Sequence, residues 1–168
     1  MNLLPYRKIE LYSPLPADAV VRRLRNAVEP KRWLRFGAGD CPFEGTVTQT
    51  TFNIQRIISY RNSFLPQIRG TIIPEGNGSR ISLTMQLHIA VAIFMTVWLG
   101  GVSFAVVATA PAVLASRAEL GPALIPIGMF LFGSILTVGS FSFEARKAER
   151  LIASLLDGIR RPVDAIQE

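Results

Sequence analysis

From Ile81 to Ser116, 36 consecutive residues contain no Asp, Glu, Lys or Arg. After Arg117 and Glu119, a second uncharged run of 24 residues extends from Leu120 to Phe143. A helix needs roughly 20 apolar residues to cross the hydrocarbon core of a bilayer. Both runs meet that length, and core helices of soluble proteins rarely stay uncharged for more than about 14 residues. In a chain of 168 residues, too little remains to enclose two such helices. The feature therefore predicts an integral membrane protein with two spans joined by a short loop.

The first run is not helical throughout. Ile81, Leu83, Met85 and Leu87 alternate with Ser82, Thr84, Gln86 and His88, the period of a strand. The first span is thus expected at about 89–110, ended by Pro111, and the second at about 124–142. Residues 1–88 then form an α+β domain. Residues 143–168 supply an amphipathic helix, about Phe143 to Asp157, that packs back on it. Its apolar stripe is Ala148, Leu151, Ile152 and Leu155. Glu144, Arg146, Lys147, Glu149 and Arg150 are assigned to its wet face, and Gly158 to its C-terminal stop.

Within residues 1–88, Tyr6 to Tyr12 alternates as a strand. Ala17 to Val28 places Val20, Val21, Leu24 and Val28 on one helical stripe between Pro16 and Pro30. Lys31 to Pro42 is irregular, with Trp33, Leu34 and Phe36 as anchors. Phe52, Ile54, Ile58 and Tyr60 share one strand parity, with Arg56 as the exception. Gly45 to Thr51 is a partner strand or the start of the same one. Gln67 to Ile73 is a further strand, and Glu75-Gly76-Asn77-Gly78-Ser79 a turn. The expected fold is an antiparallel sheet of four or five strands, covered by two helices, plus a two-helix transmembrane hairpin.

Charge sets the expected orientation. Residues 1–88 hold 12 of the 18 basic residues and 6 of the 12 acids, so the whole net charge of +6 resides there. Arg80 precedes the first span and Arg146, Lys147 and Arg150 follow the second, while the loop offers only Arg117. Lys and Arg concentrate on the cytoplasmic side. Both termini are expected in the cytoplasm, with the bacterial inner membrane as the location.

The chemistry on offer is sparse. Cys41 is the only cysteine and His88 the only histidine, so neither a disulfide nor a His- or Cys-based metal cluster can form within the chain. His88, at the membrane boundary, is an interfacial polar residue or a proton sensor. No phosphate loop, nucleophile elbow or paired-carboxylate motif is present, and neither an enzyme nor a cofactor is expected. The spans hold no ionisable side chain, which argues against a transporter. Gly101, Ala105 and Thr109, and Gly133 and Thr137, have the small-xxx-small spacing of close helix packing, within the hairpin or between copies.

Two groups of residues are candidate contacts. Tyr60, Arg61 and Asn62 sit in Tyr60-Arg61-Asn62-Ser63-Phe64-Leu65-Pro66, where Arg61 and Asn62 bind an anion, a carbonyl or a partner, or Asn-Ser simply makes the turn. Arg22, Arg23 and Arg25, with Lys31, Arg32 and Arg35 nearby, form a basic surface suited to anionic lipid headgroups or to solvent. No nucleic-acid signature accompanies them. The reading is a membrane-anchored binding or scaffold module that contacts lipid or a partner protein. The alternative is a small oligomerising, membrane-disrupting or channel-forming effector.

Phe43-Glu44-Gly45, Tyr60–Pro66 and Leu83–His88 leading into a span resemble a group of uncharacterised bacterial two-span membrane proteins, over residues 43–100 or so. The resemblance implies no activity and no functional residues. The order strand, helix, antiparallel strands, final helix resembles the START-like helix-grip arrangement, with the hairpin inserted before the final helix.

Overall fold

The computed structural model describes residues 5–31, 41–115 and 121–161. Trp33, Leu34 and Phe36, the basic residues Arg32 and Arg35, and the loop residues Arg117 and Glu119 lie outside the described residues. The chain is α+β, with seven strands and three helices among the described residues. Strand β1 (Tyr6–Ser13) is followed by helix α1 (Ala17–Ala27), β2 (Val28–Glu29), β3 (Phe43–Val47), β4 (Thr51–Arg56), β5 (Gln67–Glu75) and β6 (Gly78–Gln86). Two long helices follow, α2 (Ile89–Ala115) and α3 (Gly121–Leu155), and then β7 (Ile159–Arg161).

The strand order is β2-β3-β4-β5-β6-β1-β7. The sheet is mixed, not purely antiparallel, because β2 pairs with β3 in parallel. The sequence expectation of four or five strands missed β2 and β7. These two- and three-residue edge pieces are too short to show a period. The β5–β6 connection is a two-residue turn, with Gly76 in the left-handed region at φ 58°.

Register gives the sheet two unlike faces. One carries Ile9, Leu11, Leu83, Ile81, Met85, Ile68, Ile72, Ile54, Phe52 and Phe43, all buried. Each such side chain contributes roughly 1.5–3 kcal/mol when taken from water. Val20, Val21 and Leu24 of α1, and Phe141, Ala145, Ala148 and Ile152 of α3, cover it. Gly70 lies directly opposite Phe52, and the Phe52 ring fills the space a side chain would take; an added Cβ would come within 2.1 Å of Cζ.

Helices α2 and α3 are both long and apolar enough to cross a membrane, and most of the apolar stretch of each is exposed. Both extend beyond the expected limits. Helix α2 continues through Pro111, and Pro126 lies inside α3. Chief among the differences, the expected second span and the expected amphipathic helix are one uninterrupted helix. Ser140-Phe141-Ser142-Phe143 contains no Gly or Pro, so nothing there ends the backbone ladder.

The side of α3 that packs on α2, through Gly133 and Thr137, continues through Phe141, Ala145, Ala148 and Ile152 onto the sheet. In the hairpin, Gly133 receives the Trp98 ring, and Met95 and Val102 of α2 are buried. Gly101 of the other small-residue series faces open space. The helix ends in a Schellman-type turn, with the Gly158 amide bonding to the Ala153 carbonyl at 2.8 Å. Asp157, not glycine, takes the left-handed position at φ 49°.

Gly70→Val should force the Phe52 ring out and cost about 1–3 kcal/mol, the usual penalty of overpacking. Adding Phe52→Leu should recover part of that loss. Thermal unfolding in detergent checks it; an unchanged midpoint for Gly70→Val would show that the ring is not seated over Gly70.

Candidate functional site

On α3, 100° per residue places Glu144 and Glu149 on opposite flanks of the Phe141–Ala145–Ala148–Ile152 stripe. The expectation that both belong to the wet face is corrected: Glu144 is 1% exposed and Glu149 8%. Carboxylates are rarely buried so deeply unless paired, and both are. Arg56 donates to Glu144 at 2.5 Å, and Tyr60 donates its hydroxyl to the other oxygen of the same carboxylate. Arg7 meets Glu149 at 2.6 Å, with Arg160 further off at 3.7 Å.

The arginines come from opposite sides of the sheet, Arg7 from β1 and Arg56 from the end of β4. Both point to the covered face, since Arg7 is opposite Met85 and Arg56 opposite Phe43. Both also stand at the end of the sheet from which β6 runs into α2. Helix α3 is therefore seated where it leaves the hairpin by one charged contact on each flank. At its other end, the buried Ser13 hydroxyl donates to the Leu156 carbonyl at 2.5 Å. Arg23 reaches Asp157 at 2.6 Å and the Leu155 carbonyl at 3.1 Å.

Arg56 is the residue that sequence reasoning passed over. It was visible only as the parity exception among Phe52, Ile54, Ile58 and Tyr60. It faces the core because Glu144 receives it, and the strand stops there. Tyr60, in the β4–β5 loop, is 49% exposed while its hydroxyl is held by Glu144. That bond to the carboxylate, and then burial, push the Tyr60 phenol above its ordinary range, against the opposing pull of Arg56.

The other candidates separate. Asn62 accepts the Phe64 amide at 2.9 Å through its side-chain oxygen, so it shapes the loop, while Arg61 is exposed. On α1, Arg22 is occupied by Asp18 at 2.6 Å. That contact holds the Asp18 carboxyl below its usual range, chiefly through the hydrogen bond. Arg23 is occupied by Asp157, and Arg25 is exposed. His88 caps α2, its Nδ1 accepting the Ala90 amide at 3.2 Å. Among the described residues, no group of three His, Cys, Asp or Glu side chains is placed to hold a metal.

At the same end of the domain, Tyr6, Tyr60, Arg61, Phe143, Arg146 and Lys147 are all exposed. Lys147 lies over the Phe143 ring, 4.2 Å from its centroid. Aromatic and basic side chains thus ring the root of the hairpin.

Glu144→Ala should cost about 3 kcal/mol, because it leaves Arg56 largely buried without a counter-charge. The double variant Arg56→Met with Glu144→Leu should lose less than either single truncation. A double-mutant cycle by denaturant unfolding in detergent checks this; additive losses would mean that the pair is not coupled. Tyr60 gives a pH signature. Its folded pKa is raised, so its contribution is complete below the unfolded value near 10 and is lost as pH rises through the folded one. Stability should fall more steeply above about pH 10 in the native chain than in Tyr60→Phe. No family model, curated protein or solved structure matches this chain.

Proposed function

We propose that this chain is an integral membrane protein whose α2–α3 hairpin spans the bilayer, and that it works as a membrane-anchored binding or scaffold module with its basic domain against anionic headgroups. The observation that carries the reading is the continuity of α3. One helix leaves the bilayer and becomes the central packed helix of the domain, held there by Glu144 and Glu149. A domain fixed to its anchor in this way cannot tumble away from the membrane, unlike one on a flexible linker.

The root of the hairpin has the chemistry of an interfacial belt. Tyr and Trp rings favour headgroup depth, and Lys and Arg near an anionic surface contribute on the order of 1 kcal/mol each. Arg61, Arg146 and Lys147 therefore extend the expectation placed on Arg22, Arg23 and Arg25. Of those three, only Arg25 is without a carboxylate partner among the described residues. Sheet and α3 build one unit from segments on both sides of the hairpin, so a spanning hairpin leaves both termini on one side. The charge asymmetry favours the cytoplasm, and a bacterial inner membrane is the proposed location. Against a pore, Thr96, Ser103, Thr109 and Thr137 each donate to a carbonyl of their own helix, leaving little to line a water path.

The test compares Arg61→Gln/Arg146→Gln/Lys147→Gln with Arg22→Gln/Arg23→Gln/Arg25→Gln in phosphatidylglycerol and phosphatidylcholine nanodiscs. The readout is quenching of a probe on β4. The first triple should expose the probe in the anionic discs at low salt, the second should do so less, and high salt should abolish the difference. Equal accessibility in both lipids for the native chain would sink the headgroup contact. Ion leakage from liposomes at modest protein density would favour the channel-forming alternative.

A further inference from the structure

The face of the sheet turned away from α1 and α3 has no helix of the described residues over it, and register arranges its side chains in rows. Lys8, Thr84, Arg69, Asn53 and Thr46 lie directly opposite one another across five strands. Glu10, Ser82, Thr71 and Thr51 form the next row. With Thr48, the first row and the Ser and Thr members of the second border a groove of about 480 Å³, within the size range of small-molecule sites.

The lining has a consistent character. Among the described residues, besides Phe52 and Gly70, it is made of hydroxyls, one amide and two cations, with no carboxylate. Glu10, on the same face, is buried and accepts the Ser82 hydroxyl at 3.1 Å, but does not line the groove. Lys8 and Arg69 make no ion pair among the described residues, whereas Arg7, Arg22, Arg23, Arg56, Arg80 and Arg160 each do. Two unpaired cations bordering a field of hydroxyls select against an apolar ligand and for an anionic one rich in hydrogen-bonding groups.

We infer that this groove binds a small soluble phosphorylated polyol, a sugar phosphate in chemical class. Arg69 supplies the planar fork that suits phosphate and Lys8 a point charge. They stand on strands either side of β6, about 10 Å apart at the backbone, so two phosphates at opposite ends of a hexose can each meet a cation. The rows of Thr, Ser and Asn between them offer both donors and acceptors to sugar hydroxyls. The inference goes beyond the headgroup contact and uses other residues, on the outer face of the sheet rather than at its hairpin end, so the two can be tested separately.

Calorimetry of the full chain in uncharged phosphatidylcholine nanodiscs, titrated with glucose 1,6-bisphosphate and with glucose, is the test. Saturable binding of the bisphosphate alone is expected, weakened about tenfold by Lys8→Gln and by Arg69→Gln. The Arg61→Gln/Arg146→Gln/Lys147→Gln variant should bind as the native chain does. Absence of bisphosphate binding, or native affinity in both groove variants, overturns the assignment. So does a result in which Lys8→Gln and Arg69→Gln alter only the response to phosphatidylglycerol discs, because the cations would then serve lipid.

Discussion

The seating of α3 on the sheet depends on two acids being turned inward at the root of the α2–α3 hairpin. Alone, Glu144 would be strongly disfavoured at 1% exposure, since an ion without a partner pays several kcal/mol of desolvation. Its burial is tolerable only because Arg56 and Tyr60 both reach it. Glu149 and Arg7 repeat the arrangement on the other flank. Apolar packing alone would let the helix slide or rotate along the Ala145–Ala148–Ile152 stripe at small cost. Two charged contacts on opposite flanks, reaching opposite sides of the sheet, fix both rotation and translation. This is a use of buried charge for register rather than for net stability.

The same contacts determine the order in which the molecule can be completed. Arg56 and Glu144 are 88 residues apart, and Ser13 and Leu156 143 apart, with the whole hairpin between them. The five long strands can pair as soon as residue 86 is made. Their apolar face then waits for a helix that emerges only after both hydrophobic runs. Non-local closure of this kind is slow, and the exposed face is an aggregation hazard meanwhile. Helix α1, available early, covers part of it through Val20, Val21 and Leu24.

Much of this was legible in the sequence because burial follows period. The alternation in Ile81–Leu87 placed the end of β6 and the start of α2, and Val20, Val21 and Leu24 of the α1 stripe are buried as read, whereas Val28 falls in β2 and Ala27 takes its place. Charge misled where it was taken as a sign of exposure. Glu144 and Glu149 sit at the borders of an apolar stripe, where helical position alone does not say which way a long side chain turns. That is decided by Arg7 and Arg56, from strands far away in sequence. The break between span and amphipathic helix was inferred from a change in composition, but composition does not end a helix; caps and breakers do. Of the candidate loop, Asn62 proved a turn former, while Tyr60 matters through Glu144, a partner that no local pattern announces.

The division of the sheet into a used and an unused face bears on what the domain can do. Its apolar face is consumed by α1 and α3, so a cavity between sheet and helix, where a lipid tail could lodge, would have to displace fully buried residues such as Leu83, Ile81 and Ile152. The rim and the outer face carry no such cost. At the rim, aromatic rings and cations sit around the root of the α2–α3 hairpin. On the outer face, a strand-period array of hydroxyls and two unpaired cations stands clear of the helices. If the hairpin spans a bilayer as proposed, α3 carries that array at a fixed height: Lys8 stands two residues, roughly 7 Å, along β1 from Tyr6 of the rim, and the row through Thr84 and Arg69 lies level with it.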